Sequence, residues 1–133
     1  MALVFRALHS ATSPELLNEE WIVLENTGPG VLTAAGWTLA LSSGGKRPHP
    51  LGTLQPGFTL KPGERIRLVT GTPSKKSQGA PPPEEGVRNY HLFLKEPVLP
   101  RPAVTVMVQL KQQEMARAVF DPTAPDGIKP AAA

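Results

Sequence analysis

Cysteine is absent from the 133 residues, so neither a disulfide nor a thiolate metal site is available, and the redox compartment is left unspecified. Long apolar runs are missing as well. No stretch approaches the ~18 residues that a membrane span needs. Aromatic residues make up only 5% of the chain, which leaves little for the base-stacking platforms of single-strand nucleic-acid binders. No Asn-x-Ser/Thr sequon occurs. No glycine-rich loop follows a strand and opens a helix, so Rossmann and Walker phosphate sites are excluded. The opening Met1-Ala2-Leu3-Val4-Phe5 has no charged lead and then meets Arg6, His9 and Ser10, so it reads poorly as a signal peptide.

What is plentiful is turn chemistry. Sixteen prolines and twelve glycines form about a fifth of the chain, heavy for a helical protein and ordinary for an all-β one. The length suits one domain with a real core, so no staple is required. The net charge is +3, unevenly spread. Between Asn26 and Pro83, Lys46, Arg47, Lys61, Arg65, Arg67, Lys75 and Lys76 face a single acid, Glu64. Such a basic middle suits a weak attraction to acidic partners, or simply solvated strand faces and loop tips.

Local pattern supplies the elements. Ala2 to Ala11 reads as a strand with Arg6 and His9 interspersed. Ser13-Pro14-Glu15 has the chemistry of a helix start but room for one turn at most. "EWIVLE", Glu20 to Glu25, is β-branched and aromatic and stops at Asn26-Thr27-Gly28. In "WTLAL", Trp37, Leu39 and Leu41 alternate with Thr38 and Ala40, as in a strand with one buried face. Ser42 to Pro50 reads as a loop. Pro56-Gly57 and Pro62-Gly63 suit type II turns, proline pre-setting φ and glycine supplying the positive φ that follows. Beyond them, Ile66 and Leu68 point one way and Arg65 and Arg67 the other, which predicts a charged outer face.

Thr72 to Arg88 reads as a long exposed loop, and Asn89 to Leu94 as a short strand. Pro97, Pro100 and Pro102 forbid ladder bonds in an irregular connector. Val104 to Leu110 and Met115 to Phe120 read as a hairpin turning through Lys111 to Glu114. About seven strands with turn signals every 8–12 residues predict an all-β antiparallel sandwich or barrel. The expected core is Trp21 or Ile22, with Leu24, Trp37, Leu39, Ile66, Leu68, Leu92, Val106, Val108 and Phe120. Within Asn26 to Gly30, Asn and Gly are expected to supply positive φ while Pro29 stiffens the exit, and Val31 and Leu32 to tuck against the core.

The order "EWIVLENTG", "GWTL", "LKPGE" leading to "RIRLVTG", then "YHLFL" and a terminal hairpin resembles the lamin tail domain family. The resemblance covers Glu15 to Pro122. It implies a non-enzymatic, immunoglobulin-like antiparallel β-sandwich of the kind found at the end of nuclear lamins and as a module in bacterial proteins. On this reading residues 1–14 are an N-terminal strand and linker, 15–122 the domain with a mobile loop at 72–88, and 123–133 a disordered tail. The terminal hairpin departs from the family in turning without Asp or Gly, and Leu99-Pro100-Arg101-Pro102-Ala103 replaces the family's Trp-Asn-Asn-x-Gly-Asp connector.

The resemblance implies an interaction or scaffolding module with a protein partner and no cofactor. The alternative is an accessory domain of a larger secreted or surface enzyme. A further alternative is weak DNA contact through a basic face of Lys46, Arg47, Arg65, Arg67, Lys75 and Lys76, with a strong salt dependence. His9, His49 and His91 have no metal-ligand spacing, and Ser10 beside His9 is adjacency rather than a triad. Glu19, Glu20, Glu84 and Glu85 read as solvated charge. Strand addition is the remaining route to a partner: the prolines of the connector guard one edge, and the first strand, Leu3 to Leu8, is the less protected one, open to a peptide or to weak self-association.

Overall fold

The computed structural model describes residues 3–10, 15–44, 47–54, 58–72, 79, 87–94, 98–99, 104–111 and 113–129. Among these residues, ten strands form two four-stranded sheets and a small pair. The first sheet has the order β1 (Leu3–His9), β2 (Trp21–Asn26), β7 (Arg65–Val69), β8 (Val87–His91). The second has the order β10 (Gln113–Val119), β9 (Val104–Leu110), β4 (Thr38–Ser43), β5 (His49–Thr53). The pair is β3 (Leu32–Thr33) with β6 (Thr59–Leu60). The fold is an all-β sandwich. Among the described residues the only helical turn is a 3-10 turn at Leu17–Glu19; Ser13 and Pro14 lie outside them.

Alternation decides which face each strand buries. Ile22 and Leu24 of β2, Ile66 and Leu68 of β7, Trp37 with Leu39 and Leu41 of β4, and Val104, Val106 and Val108 of β9 meet in one core. At roughly 1.5–3 kcal/mol for each large side chain, this burial is the main stabilising term. The choice between Trp21 and Ile22 falls to Ile22. Trp21 lies on the outer face, half-buried. Leu92 and Phe120 reach the core only partly.

Asn26 explains the abrupt end of β2. It is buried, and its Nδ2 donates to the carbonyls of Gly30 (2.8 Å) and Leu60 (3.0 Å). Its Oδ1 accepts from the Gly28 N–H at 3.0 Å. Its main chain bonds Gly63 and Glu64. One side chain thus ties the turn after β2 to the end of β6, and neither Gly28 nor Gly30 has a positive φ. Leu32 packs against the core, whereas Val31, expected beside it, is 59% exposed. The Lys61–Glu64 turn follows expectation: Gly63 has φ +80, and the Glu64 N–H donates to the Lys61 carbonyl at 2.9 Å.

Four elements depart from the sequence expectation. β5 occupies part of the supposed loop at Ser42–Pro50; an edge strand tolerates its Pro50 and Gly52, which erase the alternating signal. β8 runs parallel to β7, while every other strand pairing among the described residues is antiparallel. A parallel neighbour needs a long crossover, and the stretch between Val69 and Val87 supplies the length. The β9–β10 hairpin is tighter than expected, since Leu110 already pairs with Gln113, and Lys111 has φ 50 where Asn or Gly is usual. Finally, the chain beyond Pro122 is ordered as far as Lys129. Ile128 bridges Phe120, and the Leu8 N–H donates to the Asp126 carbonyl at 2.8 Å. Asp121 holds this return by accepting from the N–H and hydroxyl of Thr123.

These contacts close one side of the sandwich. β1 and β10, the outer strands of the two sheets, lie against each other, and the C-terminal return covers the end of β1. The first strand is an edge, as expected, but a shielded one. The other two edges, β5 and β8, face each other across the opposite side.

Candidate functional site

Of the six residues expected to form a basic face, Arg47, Arg65 and Arg67 are among the described residues, and Arg65 and Arg67 share one face of β7. Lys46, Lys75 and Lys76 lie outside the described residues, as do Pro97, Pro100, Pro102, Glu84 and Glu85. Arg47 is exposed. Arg65 binds Glu25 through its Nε at 2.5 Å, and Arg6 reaches the same carboxylate at 3.3 Å. The two guanidiniums hold the Glu25 carboxyl below its usual pKa, Arg6 contributing most. Arg67 is on the outer face, as alternation requires, yet it is 2% exposed. Its guanidinium carbon sits 4.9 Å from the Trp21 ring centre, and its Nη1 donates to Asn89 Oδ1 at 3.2 Å. His9 stacks on Trp21 at 4.7 Å with an interplanar angle of 8°. Among the described residues the outer face of the first sheet is therefore a packed cation–aromatic layer beside an Arg–Glu–Arg cluster that keeps one net positive charge.

Glu20 also departs from its solvated reading. It is 0% exposed. Its Oε1 accepts from the Thr70 hydroxyl at 2.7 Å and the Val98 N–H at 2.6 Å, and its Oε2 from the Leu99 N–H at 3.1 Å. The carboxylate fastens the 98–99 segment to the first sheet. No local signal marks such a role, because its partners lie far along the chain.

The open side holds a concave feature. Between β5 and the end of β8 is a cavity of about 450 Å³, within the usual range for ligand sites. Leu39, Leu51, Leu54, Tyr90, Leu92 and Leu94 supply its apolar lining, with Thr53 and His91 as polar neighbours. An aromatic line leads to it from the core: Trp37 meets Phe58 edge-on at 5.9 Å, and Phe58 meets Tyr90 at 5.3 Å. Phe93 stands at the lip, 62% exposed, with φ 57. A bulky residue in that backbone region is a genuine outlier. The Phe93 N–H donates to the Gly71 carbonyl at 3.3 Å, and the Leu92 and Leu94 N–H groups on either side bond Val69 and Thr70. These bonds hold the local conformation.

Leu92, expected in the core, lies at its edge, and Leu51 and Leu54 join it there. A Pro-Leu-Gly-Thr-Leu run shows no period, so the only available signal was two leucines in a stretch otherwise suited to turns. Among the described residues, no group of three His, Cys, Asp or Glu side chains could hold a metal ion, and no helix is long and apolar enough to cross a membrane. In comparisons with known proteins, no family model matches the chain and no curated protein matches it.

Proposed function

We propose that the chain is a non-catalytic, lamin-tail-like interaction module that binds a protein partner at the cleft between β5 and β8. The observation that carries this reading is the asymmetry of the sandwich. One pair of sheet edges is closed by β1, β10 and the C-terminal return, while the other flanks an apolar cavity with an exposed phenylalanine at its lip. Exposed apolar surface beside unpaired strand edges is costly in an isolated protein and is a common feature of binding sites. The lamin-tail resemblance is supported by what its residues do. Asn26 organises the turns after β2, Trp37 fills the core, and Pro62-Gly63 turns the chain into β7.

A photo-crosslinking aromatic residue at Phe93 tests the proposal in cells, with the same residue at exposed Val31, outside the cleft, as control. A discrete protein adduct is expected from position 93 alone, and Leu51→Glu should abolish it. Identical adducts from both positions, or an adduct that survives Leu51→Glu, would overturn the assignment.

A further inference from the structure

Resting on the reading of the cleft as a protein-docking site, we infer that its occupant is an extended, acidic peptide segment. It adds as a strand to β8 and buries one large apolar side chain in the cavity.

The main chain chooses β8 over β5. Along a strand in a parallel pair, successive residues turn their N–H and C=O groups to alternate sides. The Leu92 N–H donates to the Val69 carbonyl at 2.8 Å, so Tyr90, of the same parity, faces β7 as well. Asn89 and His91 therefore turn their main-chain groups away from β7, to an edge with no strand beside it among the described residues. β5 is the poorer template. Pro50 has no N–H to offer, and a register shift interrupts its pairing with β4.

A strand seated beside β8 would continue the first sheet, and every second side chain would point toward the second sheet. On that side lies the cavity lined by Leu51, Leu54 and Tyr90. Its volume of about 450 Å³ accommodates one large aliphatic or aromatic side chain. Phe93, exposed at the lip, is placed to cover the anchor's outer surface.

Charge sets the flanks of the peptide. β5 and β8 carry His49, Arg88 and His91 and no carboxylate, and exposed Arg47 precedes β5. Arg88 is already engaged, donating to the Thr59 carbonyl at 2.5 Å and lying 3.5 Å from Glu64. Exposed Arg47 therefore places positive charge at the start of β5, and acidic residues flanking the anchor complement it.

The test uses the full chain and synthetic, fluorescently labelled peptides. Each has a central Leu or Phe in a Thr/Val strand sequence. One set has Asp and Glu flanks, and a second has Lys flanks. The acidic set should bind about tenfold more tightly at low salt, a difference that added salt reduces. N-methylation of the peptide at the positions facing β8 should weaken binding about tenfold, from loss of one or two main-chain hydrogen bonds, while the opposite phase should have little effect. Amide exchange at Asn89 and His91 should slow on binding. Equal affinity for the two charge sets, no dependence on N-methyl phase, or no binding of either set would overturn the inference. So would a dimer in which those amides are protected without peptide, which would make a second copy the occupant. If these peptides fail while position 93 still crosslinks a protein through the cleft, the docking site stands and its strand-addition chemistry falls.

Discussion

Glu20→Ala probes the least expected side chain in the fold. The wild-type carboxylate receives the Val98 and Leu99 N–H groups and the Thr70 hydroxyl with no exposure to solvent. Alanine leaves two buried N–H groups without an acceptor, at about 1–3 kcal/mol each. The hydroxyl can turn to another acceptor and costs less. The expected total is about 3–5 kcal/mol, a large share of the roughly 5–15 kcal/mol that holds a domain together. Glu20→Gln separates geometry from charge. With its carbonyl oxygen at the Oε1 position, glutamine keeps Thr70 and Val98 but sets an NH2 against the Leu99 N–H, so about 1.5–3 kcal/mol should be lost. Urea unfolding at pH 7 measures both, with an unchanged m-value required for the comparison. Amide exchange at Val98 and Leu99 localises the effect, because both should lose protection first. A midpoint for Glu20→Ala that matches wild type, with both amides still protected, would refute the reasoning.

Four further outcomes follow from the same geometry. Trp37→Ala should cost about 3–5 kcal/mol, because the indole is almost wholly buried; a melting temperature within a few degrees of wild type would remove it from the core. Asn26→Asp keeps the acceptor for Gly28 but sets a carboxylate against the Gly30 and Leu60 carbonyls, so it should destabilise by about 2–4 kcal/mol in chemical denaturation. Gly127→Ala should release the C-terminal return, since an added Cβ would lie 1.8 Å from the Leu8 carbonyl oxygen and φ is +77; faster exchange of the Leu8 amide reports it. Arg6 and Arg65 lower the Glu25 pKa, so the folded state favours the ionised form. That contribution is present above the ordinary value of 4.5 and is lost as pH falls through the lower folded value. The stability gap between wild type and Glu25→Gln should be widest near neutrality and narrow below pH 4.5 in urea titrations.

Local order was legible where one residue's surroundings are set by its neighbours in sequence. Trp37, Leu39 and Leu41, and Ile66 and Leu68, alternate with smaller or polar residues and are buried. Pro62-Gly63 encodes its turn outright. Arg67 shows the limit of that logic. Alternation gives its direction, but exposure depends on Trp21 of the adjacent strand lying across it. Glu20 carries no mark that distinguishes it from Glu19 beside it, because its partners come from the 98–99 segment. The cleft was hidden for a related reason. Which strands become sheet edges is a property of the whole topology, and β5 contains the two residue types that most obscure a strand.

The parallel placement of β8 ties the architecture to the proposed role. Had the chain returned antiparallel to β7 through a short hairpin, the edge strand would have followed directly on Val69. The long crossover instead brings Val87 in beside Arg65, so that β8 ends with His91 beside Val69 and delivers Leu92, Phe93 and Leu94 to the mouth of the cavity. The main-chain bonds from Leu92 and Leu94 to Val69 and Thr70 then fix that end of the strand, with Phe93 in its left-handed conformation between them. The edge is thereby prearranged, and a bound segment need not pay to order it. Relaxing Phe93 should therefore weaken docking without emptying the core: Phe93→Gly removes the lip and frees the backbone at once, whereas Phe93→Leu keeps an apolar lip in the same backbone. If docking at the cleft depends on a preformed edge, glycine should reduce affinity well beyond leucine, and equal losses would assign Phe93 contact area alone.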